Sequence, residues 1–169
     1  MRTLRLSLVG AVILVLLGGT SGVAAAQDDP MAPASVTGSI TKTDKGPYGT
    51  VTTDEHGAML RTGFVGIAEW EASDPRLSGT DTYAGNWQYS AGSSVEASTR
   101  VVENDGGRWV GTGTGLTNSR ITTDAVIMQG EDAYEGLTAY VVIDYTTSPI
   151  EFVAAIFPGE MPPFPEPAE

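Results

Sequence analysis

Between residues 36 and 157 the chain sets apolar and aromatic positions against polar ones at a spacing of two. No window of a dozen residues keeps a helical repeat. The predicted strands are 35–41, 49–53, 63–72, 77–89, 94–103, 108–116, 121–129, 137–145 and 150–157. Short strands at fairly regular spacing are the mark of an all-β sandwich or barrel. The clearest turn is Glu103-Asn104-Asp105-Gly106-Gly107, because Asn, Asp and Gly tolerate the positive φ of a tight hairpin. Thr147-Ser148-Pro149 is the next break.

Glycine placement narrows the architecture. Gly111, Gly113 and Gly115 alternate with Thr112 and Thr114, so one face of that strand carries no side chains. Such a face bends sharply or lets a bulky neighbour lie across it, and Trp109 shares its parity. Closure also removes the edges through which a glycine-rich sheet aggregates. The expected fold is an all-β, antiparallel, closed barrel of about eight strands, with a β-sandwich as the alternative. Two segments, Gly79 to Gly85 and Gly130 to Gly136, share the template G-x-D-x-Y-x-G. As a strand it puts Gly, Asp, Tyr and Gly on one face; as a turn, Gly supplies the bend and Tyr the anchor.

The ends read differently from the middle. Arg2 and Arg5 precede an apolar run at 6–17, and Ala24-Ala25-Ala26 closes the segment, which together predict a signal-peptide helix at 1–26 cut before Gln27. The apolar run is short for a membrane span of about 20 residues. The expected location is therefore secreted, with an uncleaved N-terminal anchor as the alternative. Residues 27–35 read as a flexible leader, 36–157 as the barrel domain, and 158–169, with five prolines, as a Pro-rich disordered tail.

Composition excludes some chemistry. The chain has no cysteine, so neither disulfides nor thiol-ligated metal are available. Its net charge of −12 becomes about −14 without Arg2 and Arg5, a surface that repels nucleic acid and anionic membrane. His56, the only histidine, is expected on a turn, with no nucleophile motif beside it. No calcium-loop or phosphate-loop pattern is present, so the expectation is no metal and no cofactor. Glu69 and Glu71 share one parity around Trp70, with Asp74 and Arg76 behind, but such residues more often form a solvated face.

Gly111 to Gly115, followed by Gly130-Glu131-Asp132-Ala133-Tyr134-Glu135-Gly136-Leu137, resembles the glycine-rich core of the allene oxide cyclase/dirigent-like barrel superfamily, and more closely small exported bacterial members of it. The resemblance spans residues 63–157. It implies an eight-stranded antiparallel barrel, often trimeric, with a hydrophobic cavity at one mouth. Plant members guide or catalyse cyclisation or coupling of hydrophobic substrates. It carries over no catalytic residue.

The expected function is non-enzymatic binding of a small apolar ligand, or self-assembly into a homo-oligomer through the strands at 139–143 and 152–157, which are apolar on both faces. The alternative is a cyclase-like or coupling-guiding activity. The expected ligand-binding residues are Trp70, Trp109, Tyr140 and Asp144, the last two sharing a strand face; Trp87 adds to the aromatic supply. Catalytic residues are left unassigned.

Overall fold

The computed structural model describes residues 29–160. The expected signal peptide and most of the Pro-rich tail lie outside the described residues. Nine antiparallel strands form one sheet: β1 (Ala34–Lys45), β2 (Thr50–Thr53), β3 (Met59–Ala72), β4 (Gly79–Ser90), β5 (Ser93–Asn104), β6 (Gly107–Thr117), β7 (Thr122–Asp132), β8 (Leu137–Asp144) and β9 (Ile150–Pro158). Each strand pairs with its sequence neighbour except β1, which pairs with both β9 and β3. These pairings close a ring of hydrogen bonds through all strands but β2, which extends one end of β3. A single continuous sheet replaces the two packed layers of the sandwich alternative. No helix among the described residues is long and apolar enough to cross a membrane.

Every predicted strand overlaps an observed one, and the differences are local. Leu77, expected in a strand, belongs instead to one 3-10 turn at Pro75–Leu77. Asp74 caps that turn by accepting from the Arg76 N–H at 3.0 Å, and Pro75 supplies the fixed φ that suits a helix start. The turn drops Leu77 into the ring end, where it is fully buried. Residues 30–32, expected within a flexible leader, are held by Arg76, which donates to the carbonyls of Pro30 (2.7 Å) and Ala32 (3.0 Å). Pro158, expected to open the tail, ends β9, and the following Gly159 N–H donates to the Gly136 carbonyl.

Alternation decides which residues fill the ring. Val36, Ile40, Ala68, Trp70, Val102, Trp109, Val126, Met128, Leu137, Ala139, Val141, Ile143, Phe152 and Ile156 are buried, and within each strand they are separated by multiples of two. Each large side chain buried in this way stabilises the fold by about 1.5–3 kcal/mol. One end of the ring is sealed. Trp109 stacks on Tyr134 with ring centroids 5.2 Å apart and donates its Nε1–H to the Arg76 carbonyl at 2.7 Å, while Leu77 and Trp70 fill the space beside it. The apolar core lies at this end and along β7 to β9.

The repeated template serves two different ends. In β4 its first copy lies along the strand, and Asp81, Tyr83 and Gly85 all face inward. The second copy is the turn from β7 to β8, where Asp132 and Gly136 take positive φ (60° and 83°) and the buried Tyr134 anchors the corner through Asn104 Oδ1 at 2.7 Å.

Candidate functional site

The opposite end of the ring is an open mouth. Its cavity of about 380 Å³ is lined by side chains from six strands, with Tyr83, Trp87 and Tyr89 of β4 facing Glu96 of β5, Asp124 of β7 and Lys42 of β1. Tyr145, just past β8, completes the wall.

The floor is an ion network centred on Arg100, which is 2% exposed. One Nη donates to Asp81 Oδ2 at 2.6 Å; the other donates to Asp124 Oδ2 at 2.9 Å and to the Tyr145 hydroxyl at 3.0 Å. Tyr145 in turn donates to Asp124 at 2.9 Å, and Trp70 Nε1–H donates to Asp81 at 3.2 Å. The planar guanidinium can serve several acceptors at fixed angles, which a lysine ammonium cannot. Burial works against the Arg100 charge, but Tyr145, Asp81 and Asp124 more than offset it and hold the group protonated. Burial pushes the Asp81 carboxyl upward, opposed by Arg100.

Glycines make room for this network. Arg100 lies opposite Gly111, Ser98 opposite Gly113, and Glu96 opposite Gly115. A Cβ at Gly115 would collide with Asp124 Oδ1, and one at Gly113 would come within 2.9 Å of Ser98 Oγ. Inward polar side chains therefore occupy the space that the side-chain-free face of β6 vacates. Three buried polar atoms of the floor, Asp81 Oδ1, Ser98 Oγ and Arg100 Nε, have no hydrogen-bond partner among the described residues. Buried polar groups are ordinarily satisfied, so these three atoms are exceptions within an otherwise well-paired network.

Above the floor, Glu96 accepts a short hydrogen bond from Trp87 Nε1–H. Trp87 packs against Phe64 at 4.4 Å and meets Tyr89 edge-on at 5.8 Å. Burial, reinforced by the charge of Asp124, pushes the Glu96 carboxyl up to about 7. The side chain can thus give or take a proton near neutral pH. Across the mouth, the Lys42 ammonium lies 4.9 Å from the centroid of the Tyr145 ring. Its less polar surroundings, and then the charge of Arg100, lower its pKa from the ordinary lysine value.

The four expected ligand residues are not brought together. Trp70 and Trp109 are buried at the sealed end, 2% and 0% exposed, where they fill the core. Trp70 reaches the floor through Asp81 alone. Tyr140 and Asp144 share a face, but it is the outer one. Tyr140 is 42% exposed and borders an outer groove of about 930 Å³ with Thr112, Ala125 and Ile127. Asp144 caps the turn after β8 by accepting from the Thr146 N–H at 2.8 Å. The inward residue at that point is its neighbour Tyr145. His56 is exposed on the turn between β2 and β3, and Glu69 and Glu71 are exposed on β3. No group of three or more metal-ligating side chains occurs among the described residues.

Sequence reasoning missed Glu96, Arg100, Asp124 and Lys42. Position opposite the glycines of β6 was the available signal for Glu96, Arg100 and Asp124, whereas Lys42 lies opposite Ala68 of β3 and had none. Compared with family models, curated proteins and solved structures, the chain finds no match in any of the three.

Proposed function

We propose that this chain is an exported β-barrel, the ring of strands forming its wall, that binds a small molecule in the open mouth. The supporting observation is the mouth itself: one end is plugged, and the other presents aromatic faces beside convergent polar groups. Binding sites for small molecules are concave and largely apolar, with few polar groups fixing orientation. The ligand class this favours is a small molecule with an aromatic or apolar body and at least one polar atom directed at Glu96 or the Arg100 floor. That adds a polar contact to the small apolar ligand expected from the sequence.

The reading is tested by titrating the purified chain with small aromatic alcohols while following tryptophan fluorescence, with native mass spectrometry giving stoichiometry and any co-purified molecule. One ligand per chain, with affinity weakened in Trp87→Ala, is the expected outcome. An intact fold that binds no member of the panel would overturn it. The same spectra report subunit number. Self-assembly would use the outer face, where Tyr140 and Val153 are 42% and 44% exposed.

A second reading, a cyclase-like activity on a hydrophobic substrate, draws on the resemblance of the glycine-rich core and on Glu96, whose carboxyl is pushed up to about 7 within the cavity. It requires turnover that Glu96→Gln abolishes while binding persists.

A further inference from the structure

We infer that Lys42 is a covalent capture residue, forming an imine with aldehyde or ketone ligands that enter the mouth. This rests on the proposal that the mouth binds small molecules, and it names the chemical class.

The placement of the lysine carries the inference. Among the described residues, the ion pairs join Arg76 to Asp74, Arg100 to Asp81 and Asp124, Arg108 to Glu131 and His56 to Glu55, so Lys42 belongs to none of them. Its ammonium rests on the Tyr145 ring at the cavity wall, and the residue stays solvent-accessible, so a ligand can reach it. The charged groups acting on it are Arg100 and Glu96 from β5, Asp124 from β7 and Lys45 from its own strand. Partial burial, and then Arg100, lower its pKa from the ordinary lysine value while Glu96 and Asp124 oppose this, so the nucleophilic neutral amine is more readily formed here than on an ordinary lysine. Trp87 and Tyr83 line the same cavity, giving it aromatic surface against which the body of an aromatic carbonyl compound can pack.

The chemistry balances without an external redox partner. The neutral Nζ adds to the carbonyl carbon, and its proton passes to the oxygen to give a carbinolamine. Protonated Glu96 then gives its proton to that hydroxyl, which leaves as water while the C=N bond forms. An iminium ion remains opposite the Glu96 carboxylate. Nothing is oxidised or reduced.

The test uses the full chain, naphthaldehyde as probe and sodium cyanoborohydride, which delivers hydride to the iminium and fixes it as a secondary amine. The chain has only two lysines, Lys42 and Lys45, so peptide mapping separates them and the amino terminus cleanly. Lys42 should be labelled in excess over Lys45 by about tenfold or more, a modest effect for a reactant positioned in a cavity. Lys42→Arg, which keeps the charge, should lose this label while circular dichroism and thermal unfolding remain those of the parent. Glu96→Gln should slow labelling of Lys42. Equal labelling of Lys42 and Lys45, or cavity labelling that survives Lys42→Arg, would overturn the inference. Naphthalenemethanol, which has no carbonyl group, separates the two claims. If it binds in the mouth while Lys42 shows no preference, imine capture fails alone. If neither compound binds or labels, the binding proposal fails with it.

Discussion

Glu96 and Asp124 lie in one cross-strand row, separated only by Gly115, and face the same cavity. Their partners differ. Asp124 is held by Arg100 and Tyr145, whereas Glu96, among the described residues, accepts only from the Trp87 indole. Two acidic side chains a glycine apart are thus divided into one bound to a fixed cation and one able to exchange its proton.

Stability should register that division. The Glu96 carboxyl in the fold lies above its unfolded value of 4.5, at about 7. The native state therefore binds the extra proton between those values, and stability is full below the lower one and falls as pH rises through the upper. The shift corresponds to an upper limit of roughly 3 kcal/mol. Glu96→Gln should be more stable than the parent at about pH 9 and should lose that advantage near pH 4, as read by urea denaturation at each pH.

The Arg100 floor should respond to truncation far more than a surface ion pair. Arg100→Met strands Asp81 and Asp124 in a buried site, and breaking such a network by removing one partner costs about 3–5 kcal/mol. Removing Arg108, whose Glu131 partner is half-exposed, should change stability far less, as for other solvent-screened ion pairs. Chemical denaturation of both variants checks the contrast.

Neighbouring glycines of β6 should differ in tolerance. A Cβ at Gly111 would strike the Ile127 carbonyl and approach Met128 Cα at 2.7 Å, both backbone atoms. At Gly113 it would meet Ser98 Oγ and Val126 Cγ2, at 2.9 and 3.2 Å, which are side-chain atoms able to shift. Gly111→Ala should lose about 3 kcal/mol or more and Gly113→Ala about 1 kcal/mol, on the scale of overpacked cores. Thermal melts of the two variants give the order.

Ligand binding should separate the mouth from the outer face. Trp87→Ala should weaken binding of an aromatic alcohol by about tenfold, the equivalent of one stacked aromatic contact. Tyr140→Ala and Asp144→Ala should leave that affinity unchanged, because both side chains project from the outside of the ring. Fluorescence titration of the three variants decides it.

The strands were legible because alternation and turn residues are local signals. The 103–107 turn and the glycine stripe each fell where the pattern put them. The site was hidden by an inversion on β5. There Glu96, Ser98 and Arg100 point inward while Val95, Ala97 and Val101 point outward, so a reading of polar residues as solvent-facing selects the wrong side. β8 shows the same one-residue displacement. Leu137, Ala139, Val141 and Ile143 form its unbroken apolar face, and Tyr145 continues that parity, whereas Tyr140 and Asp144 belong to the mixed face. Trp70 and Trp109 were legible as aromatic supply but not as plug, because their depth depends on the turn at Pro75–Leu77, which only tertiary packing places.

The pairing of β1 with β9, with Ala34 opposite Ile156, has a consequence for how the molecule comes into being. The seam joins the earliest strand to the last, so a growing chain cannot finish its wall until the final strand has been made. Until then two unsatisfied borders stay available to other chains, and the contact that ends this exposure is among the most distant in sequence, the kind that forms slowly. Any shortening that removes β9 would leave the ring of strands open between β8 and β1, whatever remained of its core.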